Sequence, residues 1–236
     1  MINKIFSSLF LLSILVVFSS CEQCIEGKGE IVSEVRDLED FSQIKINVPA
    51  DVLIHIGEFP KASIQTHENL IGKIKTRIKG KTLIIEANPC INNLDKLRID
   101  LVVKELNGIS LNGSGSVKTK TQIKTGDFKA EVNGSGNLSV DLFSNSVKAK
   151  INGSGNMIVN GTTKDLDIRI NGSGDFKGLG LLAYETSVEV NGSGNAKINT
   201  KNSLDVEIKG SGTITYKGDP KIKSDIIGSG ELKKIE

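Results

Sequence analysis

The chain has 236 residues, with 30 Lys and Arg against 28 Asp and Glu and a net charge of +2. Charges of both signs are spread evenly, so there is no basic patch of the kind that gathers nucleic-acid phosphates, and DNA and RNA are excluded as partners. Tryptophan is absent and aromatic residues make up 4% of the chain, too few for a deep aromatic-lined ligand pocket, while 25 glycines with abundant Val and Ile favour β structure.

Residues 1–20 read as a targeting segment. Lys4 gives a short basic start, and Ile5 to Phe18 is an apolar run with interspersed serines. Phe18-Ser19-Ser20-Cys21 follows, which resembles the lipobox of bacterial lipoproteins, with small residues directly before a cysteine. That resemblance implies a signal peptide over 1–20, lipid on Cys21, a tether over 21–30, and a place in the bacterial cell envelope, on the outer membrane. The competing readings are an ordinary signal peptide cut nearby and an uncleaved anchor. Cys24 and Cys90 remain. In an exported protein they form either one disulfide tying tether to body or two unpaired thiols. Cys21-Glu22-Gln23-Cys24 has zinc-ligand spacing but no matching histidines, so no metal is expected.

Residues 31–105 are β-rich and lack the motif that dominates the remainder. Ile44-Lys45-Ile46-Asn47-Val48 alternates apolar and polar, and Val52 to Ile56, Leu83 to Ala87 and Leu97 to Val103 also read as strands. Turns are expected at Asn47 to Asp51, Gly57 to Pro60 and Lys79-Gly80-Lys81, with one helical turn within Glu68 to Lys75.

From residue 106 to 236 the chain repeats. Gly-Ser-Gly begins at Gly113, Gly134, Gly153, Gly172, Gly192, Gly210 and Gly228, at intervals of 21, 19, 19, 20, 18 and 18 residues. A fixed period of this length is the mark of a solenoid. Two positions before each first glycine stand Leu111, Val132, Ile151, Ile170, Val190, Ile208 and Ile226, and the position between is polar in most copies. Period-two alternation predicts a strand with one buried face. Four positions after the glycine stand Val117, Leu138, Met157, Phe176, Ala196, Ile214 and Leu232, so an inward face resumes beyond each corner. Each unit therefore reads as strand, glycine corner, strand, then a polar return such as Asn160-Gly161-Thr162-Thr163-Lys164. Asn112, Asn133, Asn152, Asn171 and Asn191 precede five of the corners, and stacked coils would place these amides about 4.8 Å apart in a hydrogen-bonded ladder. Lys209 and Ile227 replace Asn in the last two copies, where the ladder is expected to end. The part before the array is expected to cover its first coil.

Gly29 to Val35, then Arg36-Asp37-Leu38 with Phe41, then Ile44-Lys45-Ile46, together with Asn69-Leu70 and the repeated Asn-Gly-Ser-Gly, resembles the putative auto-transporter adhesin, head GIN domain family. The resemblance covers nearly all of residues 29–236. It implies an exported, elongated all-β protein: a right-handed parallel β-helix, or β-solenoid, with about 19 residues per coil and an N-terminal β-rich cap. It implies adhesion and supplies no catalytic residues.

Chemical alternatives fit poorly. Gly80-Lys81-Thr82 has the ending of a phosphate-binding loop, but position 75 is Lys where the first glycine belongs. No G-x-S-x-G elbow occurs. A calcium ladder needs a carboxylate in every unit; after the corner stand Ser116, Asn137, Asn156, Asp175, Asn195, Thr213 and Glu231, only two of them acidic, which leaves a single site near Asp175 as the residual possibility. Glu131, Lys150, Arg169, Glu189 and Glu207 share one outward column, which a polysaccharide lyase could use for acid/base work, but cross-strand charge pairing on a wet face predicts the same column. His55 and His67 lie far in sequence from any serine or acid cluster. The sequence thus reads as a non-catalytic, cofactor-free envelope lipoprotein, with a lyase-like enzyme as the rival. Its expected partners are the membrane, through the lipid, and a glycan or envelope protein.

Overall fold

The computed structural model describes residues 25–87, 91–92 and 96–236. Cys21, Cys24 and Cys90 lie outside the described residues, as does the signal segment.

The first part of the chain carries β1 (Ile25–Glu26), β2 (Ile31–Asp37), β3 (Gln43–Ile46), β4 (Asp51–Ile56), β5 (Lys61–His67), α1 (Glu68–Ile71), β6 (Ile74–Lys79), β7 (Thr82–Ala87), β8 (Ile91–Asn92) and β9 (Arg98–Val103). The array follows with β10 (Gly108–Gly113), β11 (Ser116–Thr119), β12 (Ile123–Gly134), β13 (Asn137–Gly153), β14 (Asn156–Gly172), β15 (Asp175–Gly192), β16 (Asn195–Gly210), β17 (Thr213–Lys217), β18 (Lys221–Gly228) and β19 (Glu231–Ile235). The molecule is all-β, a solenoid of about 7 turns with about 19 residues per turn.

Successive coils pair in parallel and in register. Ile151 lies beside Val132 on one side and Ile170 on the other, and most residues of the repeat have an equivalent neighbour. This follows from the sequence period: one coil per repeat stacks like residues, so each apolar position becomes a column. One such column runs Ile85, Ile46, Leu111, Val132, Ile151, Ile170, Val190, Ile208 and Ile226. At about 4.8 Å per layer the stack is roughly 38 Å long. Members of the column from Ile85 to Ile208 are buried to 0% exposure.

The N-terminal part both extends and closes the stack. β3 and β4 pair in parallel with β10 and β11, and β7 and β9 pair in parallel with β3 and β4 from the far side. The layer made by β3 and β4 is therefore sandwiched between layers that come later in the chain. Beyond it, β6 pairs antiparallel with β7, β5 with β9, and β2 with β5. These antiparallel strands cover the edge that a bare coil would expose.

One expectation is corrected. The stretch Asn160 to Lys164 is not a loop. Gly161, Thr162 and Thr163 pair in parallel with Leu142, Phe143 and Ser144, so the chain stays hydrogen-bonded around a third wall. The reason lies inside. Thr163 is buried, Ser144 Oγ donates to Thr163 Oγ1 (3.2 Å), and that hydroxyl is shared between the carbonyls of Asn145 (3.2 Å) and Asp165 (3.1 Å). Thr186 Oγ1 donates to Thr200 Oγ1 (2.9 Å) at the equivalent bend. A polar residue here satisfies the bend's backbone from within.

Candidate binding surface

The corners fix the geometry of every outward face. Each first glycine from Gly113 to Gly228 has a φ between 115° and 136°, a region that side-chain-bearing residues rarely adopt. Space is equally restrictive: a Cβ on Gly172 would lie 2.5 Å from the Gly153 carbonyl oxygen. That oxygen accepts a hydrogen bond from Ser173 N (3.0 Å), so the corner can neither open nor carry a side chain without losing its ladder.

The asparagines stack on these corners. Asn133 Nδ2 donates to Asn112 Oδ1 (2.8 Å), Asn152 to Asn133 (2.6 Å), Asn171 to Asn152 (2.9 Å) and Asn191 to Asn171 (3.2 Å). The column also reaches back to the N-terminal part, where Asn112 Nδ2 donates to Asn47 Oδ1 (2.7 Å). Sequence reasoning placed Asn47 in a turn; only the shared Asn type one corner earlier hinted at its role. Asn191 is the last member, and Lys209 beside it instead forms an ion pair with Glu207. The residues on the other side of the corner are likewise bonded to one another: Asn156 Nδ2 donates to Asn137 Oδ1 (2.9 Å) and Asn195 Nδ2 to Asp175 Oδ1 (3.0 Å). Asp175 thus accepts from a neighbouring amide. Among the described residues, no three His, Cys, Asp or Glu side chains converge as a metal site would need.

The charged column is continuous. Glu131, Lys150, Arg169, Glu189, Glu207 and Asp225 are register partners in successive coils. Arg169 Nε lies 3.6 Å from Asp167 and 3.8 Å from Glu189, with more than half of the Arg169 side chain in water. This is the geometry of solvated cross-strand pairing, and the shallow groove over Asp167, Arg169, Glu189, Asp205 and Glu207 is its surface. His55 Nε2 is 3.9 Å from Asp100, and His67 Nδ1 bonds the Gly29 carbonyl oxygen (3.0 Å), so the two histidines serve separate local contacts.

The third wall, in contrast, carries apolar side chains outward. Phe143 (57% exposed) and Leu182 (36%) lie in one outward column with Thr162 between them, and Tyr184 (36%) is exposed two residues beyond Leu182, where the register is irregular. Lys201 Nζ sits 5.4 Å from the centre of the Tyr184 ring.

Two short motifs of the first part are structural clamps. Arg36 donates from Nη1 to the Ile74 carbonyl (2.8 Å) and from Nη2 to that of Ile71 (3.1 Å), holding β2 against the end of α1. Asn69 donates to the Glu26 carbonyl (2.8 Å) and accepts from Lys28 N (2.8 Å), fastening the segment that leads in from residue 25.

The family model described as "Putative auto-transporter adhesin, head GIN domain" matches residues 40–220, well over half of the chain. The chain belongs to the head GIN domain family. No curated protein matches the sequence. Solved structures of similar fold include a putative adhesin from Bacteroides fragilis, 23% identical with a TM-score of 0.84, covering 89% of this chain and 100% of its own. A putative lipid binding protein from Parabacteroides distasonis is 25% identical with a TM-score of 0.78, covering 91% and 100%. A putative adhesin from Parabacteroides merdae is 22% identical with a TM-score of 0.74, covering 90% and 99%. For head GIN domains, Arg36, Asn69 and the Asn-Gly-Ser-Gly corners thus have a direct structural meaning in this chain: they hold the stack and its lead-in segment together.

Proposed function

We propose that this head GIN protein is an exported, non-catalytic, adhesin-like binding or structural module of the bacterial cell envelope, anchored to the outer membrane through lipid on Cys21. The observation that carries the binding role is the set of apolar side chains Phe143, Leu182 and Tyr184, exposed on strands that are hydrogen-bonded on both sides. Exposed aromatic side chains on a rigid wall suit stacking against sugar faces or docking of an envelope protein, and repetition along the stack suits many weak contacts. Family membership and neighbours described as adhesins support the non-enzymatic reading.

Two experiments test it. In fractionated cells, Cys21→Ala moves the protein from the membrane to the soluble fraction, because the lipid is the anchor; retention in the membrane refutes lipidation. On a glycan array and on envelope proteins, the native chain binds and the double variant Phe143→Ser/Tyr184→Ser loses that binding. Equal binding by both forms removes these side chains from the proposal. Release of unsaturated sugars from a polysaccharide would establish a lyase instead.

A further inference from the structure

The two ends of the stack differ. At the N-terminal end, antiparallel β6 and β5 lie on β7 and β9, whose inward Leu83, Ile85, Ile99 and Leu101 are buried, and among the described strands those left with one partner there, β2 and β6, stand outside the coil. At the other end, β18 pairs only with β16 and β19 only with β17 among the described strands, so the last coil presents a free row of backbone donors and acceptors. Its inward side chains are uncovered too. Ile222 is 43% exposed and Ile226 38%, whereas Leu204 and Ile208, their partners one coil earlier, are buried.

β18 has a sequence that is complementary to itself. Around Ser224 the order is Ile222-Lys223-Ser224-Asp225-Ile226. Laid antiparallel on a second copy about a two-fold axis at Ser224, each Ile222 faces an Ile226 and each Lys223 faces an Asp225, so every contact occurs twice. The ladder phase agrees: Ile222, Ser224 and Ile226 continue the inward columns, while Lys223 and Asp225 continue the outward ones. The charge of this end also calls for such a partner. Glu189, Glu207 and Asp225 stack in consecutive coils. Arg169 lies beside Glu189 and Lys209 pairs with Glu207, but among the described residues Asp225 has no ion-pair partner. Lys223, with its side chain 83% exposed, bonds Asp205 on its own chain (3.2 Å) and retains donors for a carboxylate across an interface.

We propose that the open end is an interface for a second copy of this chain, joined tail to tail by antiparallel pairing of β18 with β18. The contact is isologous, so it closes at two copies and does not propagate into fibres. Because β1 pairs with β8, beside the outermost layer at the opposite end, the pair carries its two lead-in segments at the far ends of a rod roughly 80 Å long. The proposal is independent of the ligand and the anchor discussed above.

The test uses the full chain purified in detergent, with the unsubstituted chain as the background for its own cysteines. A two-fold axis places only residue 224 opposite itself, at about 4.5–5.5 Å between Cα atoms, within disulfide reach. Ser224→Cys is therefore expected to give a disulfide-linked dimer under mild oxidation, and Ile226→Cys, whose mate is four residues out of register, is not. Asp225→Lys places lysines opposite each other and is expected to weaken dimerisation about tenfold or more in sedimentation equilibrium. Lys223→Asp combined with Asp225→Lys re-forms both pairs and restores it. A monomeric native chain, equal cross-linking at 224 and 226, or failure of the double variant to recover overturns the proposal. Far-ultraviolet circular dichroism of each variant separates lost association from lost folding.

Discussion

The asparagine column makes a quantitative claim about Asn152. Its Nδ2 donates to Asn133 Oδ1 at 2.6 Å and its Oδ1 accepts from Asn171 Nδ2 at 2.9 Å. Asn152→Ala deletes both bonds and leaves an acceptor on one coil and a donor on the next without partners. Asn152 and Asn133 are half-buried and Asn171 is exposed, so water repairs the Asn171 side more readily. A net hydrogen bond contributes about 0.5–1.5 kcal/mol and an unsatisfied partner costs about 1–3 kcal/mol, so the expected loss is about 1–3 kcal/mol. In a chain of this length that lowers Tm by roughly 3–10 °C. Lys209→Ala is the matched control, one position past the end of the column. Its ion pair with Glu207 is about half in water on both sides, so its loss is small beside that of Asn152. Asn152→Asp keeps the shape but turns the donor into an oxygen facing Asn133 Oδ1, and it costs more than Ala. Urea melts with unchanged m-values are the assay. Equal small losses at 152 and 209 would refute the idea that the column, and not merely the backbone ladder, holds the coils in register.

Gly161→Ala is expected to cost about 3 kcal/mol or more in the same melts, because φ is 117° and a Cβ would overlap the Leu142 carbonyl, whereas Gly126→Ala, with open space around it, is neutral within about 0.5 kcal/mol. On the β6–β7 hairpin, the Arg77 guanidinium hydrogen-bonds Glu86 (2.9 Å) and holds its carboxyl below the usual range. A lowered folded pKa stabilises above the unfolded carboxylate pKa and is lost as pH falls through the folded one, so Tm drops as the pH is taken down through and below the ordinary carboxylate range, and drops less in Glu86→Gln. An equal drop in both forms would remove this pair from the acid response. Cys24 and Cys90 directly precede Ile25 and Ile91, which are partners in the β1–β8 pairing. We propose that they form a disulfide, so the oxidised full chain is expected to lack reactivity of these two thiols toward maleimide, measured by mass, and to gain it on reduction.

What the sequence showed most clearly was what repeats. The period of Gly-Ser-Gly and the apolar positions at fixed offsets from it place Ile151 and Ile170 in the core without any knowledge of distant contacts, because in a stacked coil the partner of each residue is its own equivalent. Contacts that join unlike segments were hidden. Asn47 looked like a turn residue because its partner, Asn112, is 65 residues away and the local sequence is Asn-Val-Pro-Ala instead of Asn-Gly-Ser-Gly. Thr163 looked like part of a polar return because polarity usually means solvent; here its hydroxyl bonds backbone carbonyls at an internal bend. Arg36 could be recognised as part of a motif, but its role as a clamp depends on carbonyls 35 and 38 residues downstream. The exposed apolar side chains were equally opaque, since Phe143 and Leu182 are brought into one outward column by the register of coils, and the placing of Tyr184 follows a register irregularity around residues 178–185.

The sandwiched layer of β3 and β4 bears on how the chain folds and how it could change in length. Within the array, each coil meets its neighbour after 18 to 21 residues, so coils can add one at a time at low entropic cost. Seating β3 on β10 instead closes a loop of about 65 residues and requires β7 and β9 to find the other side. By chain entropy alone that closure costs about 1 kcal/mol more than closing one coil, and no partial layer offsets it before the rest is in place. The first part therefore behaves as one cooperative block and the array as a modular stem. Excision of a whole period, such as residues 137–155, would rejoin Gly136 to Asn156 with every column still in phase, so reach can be lengthened or shortened without redesigning either end.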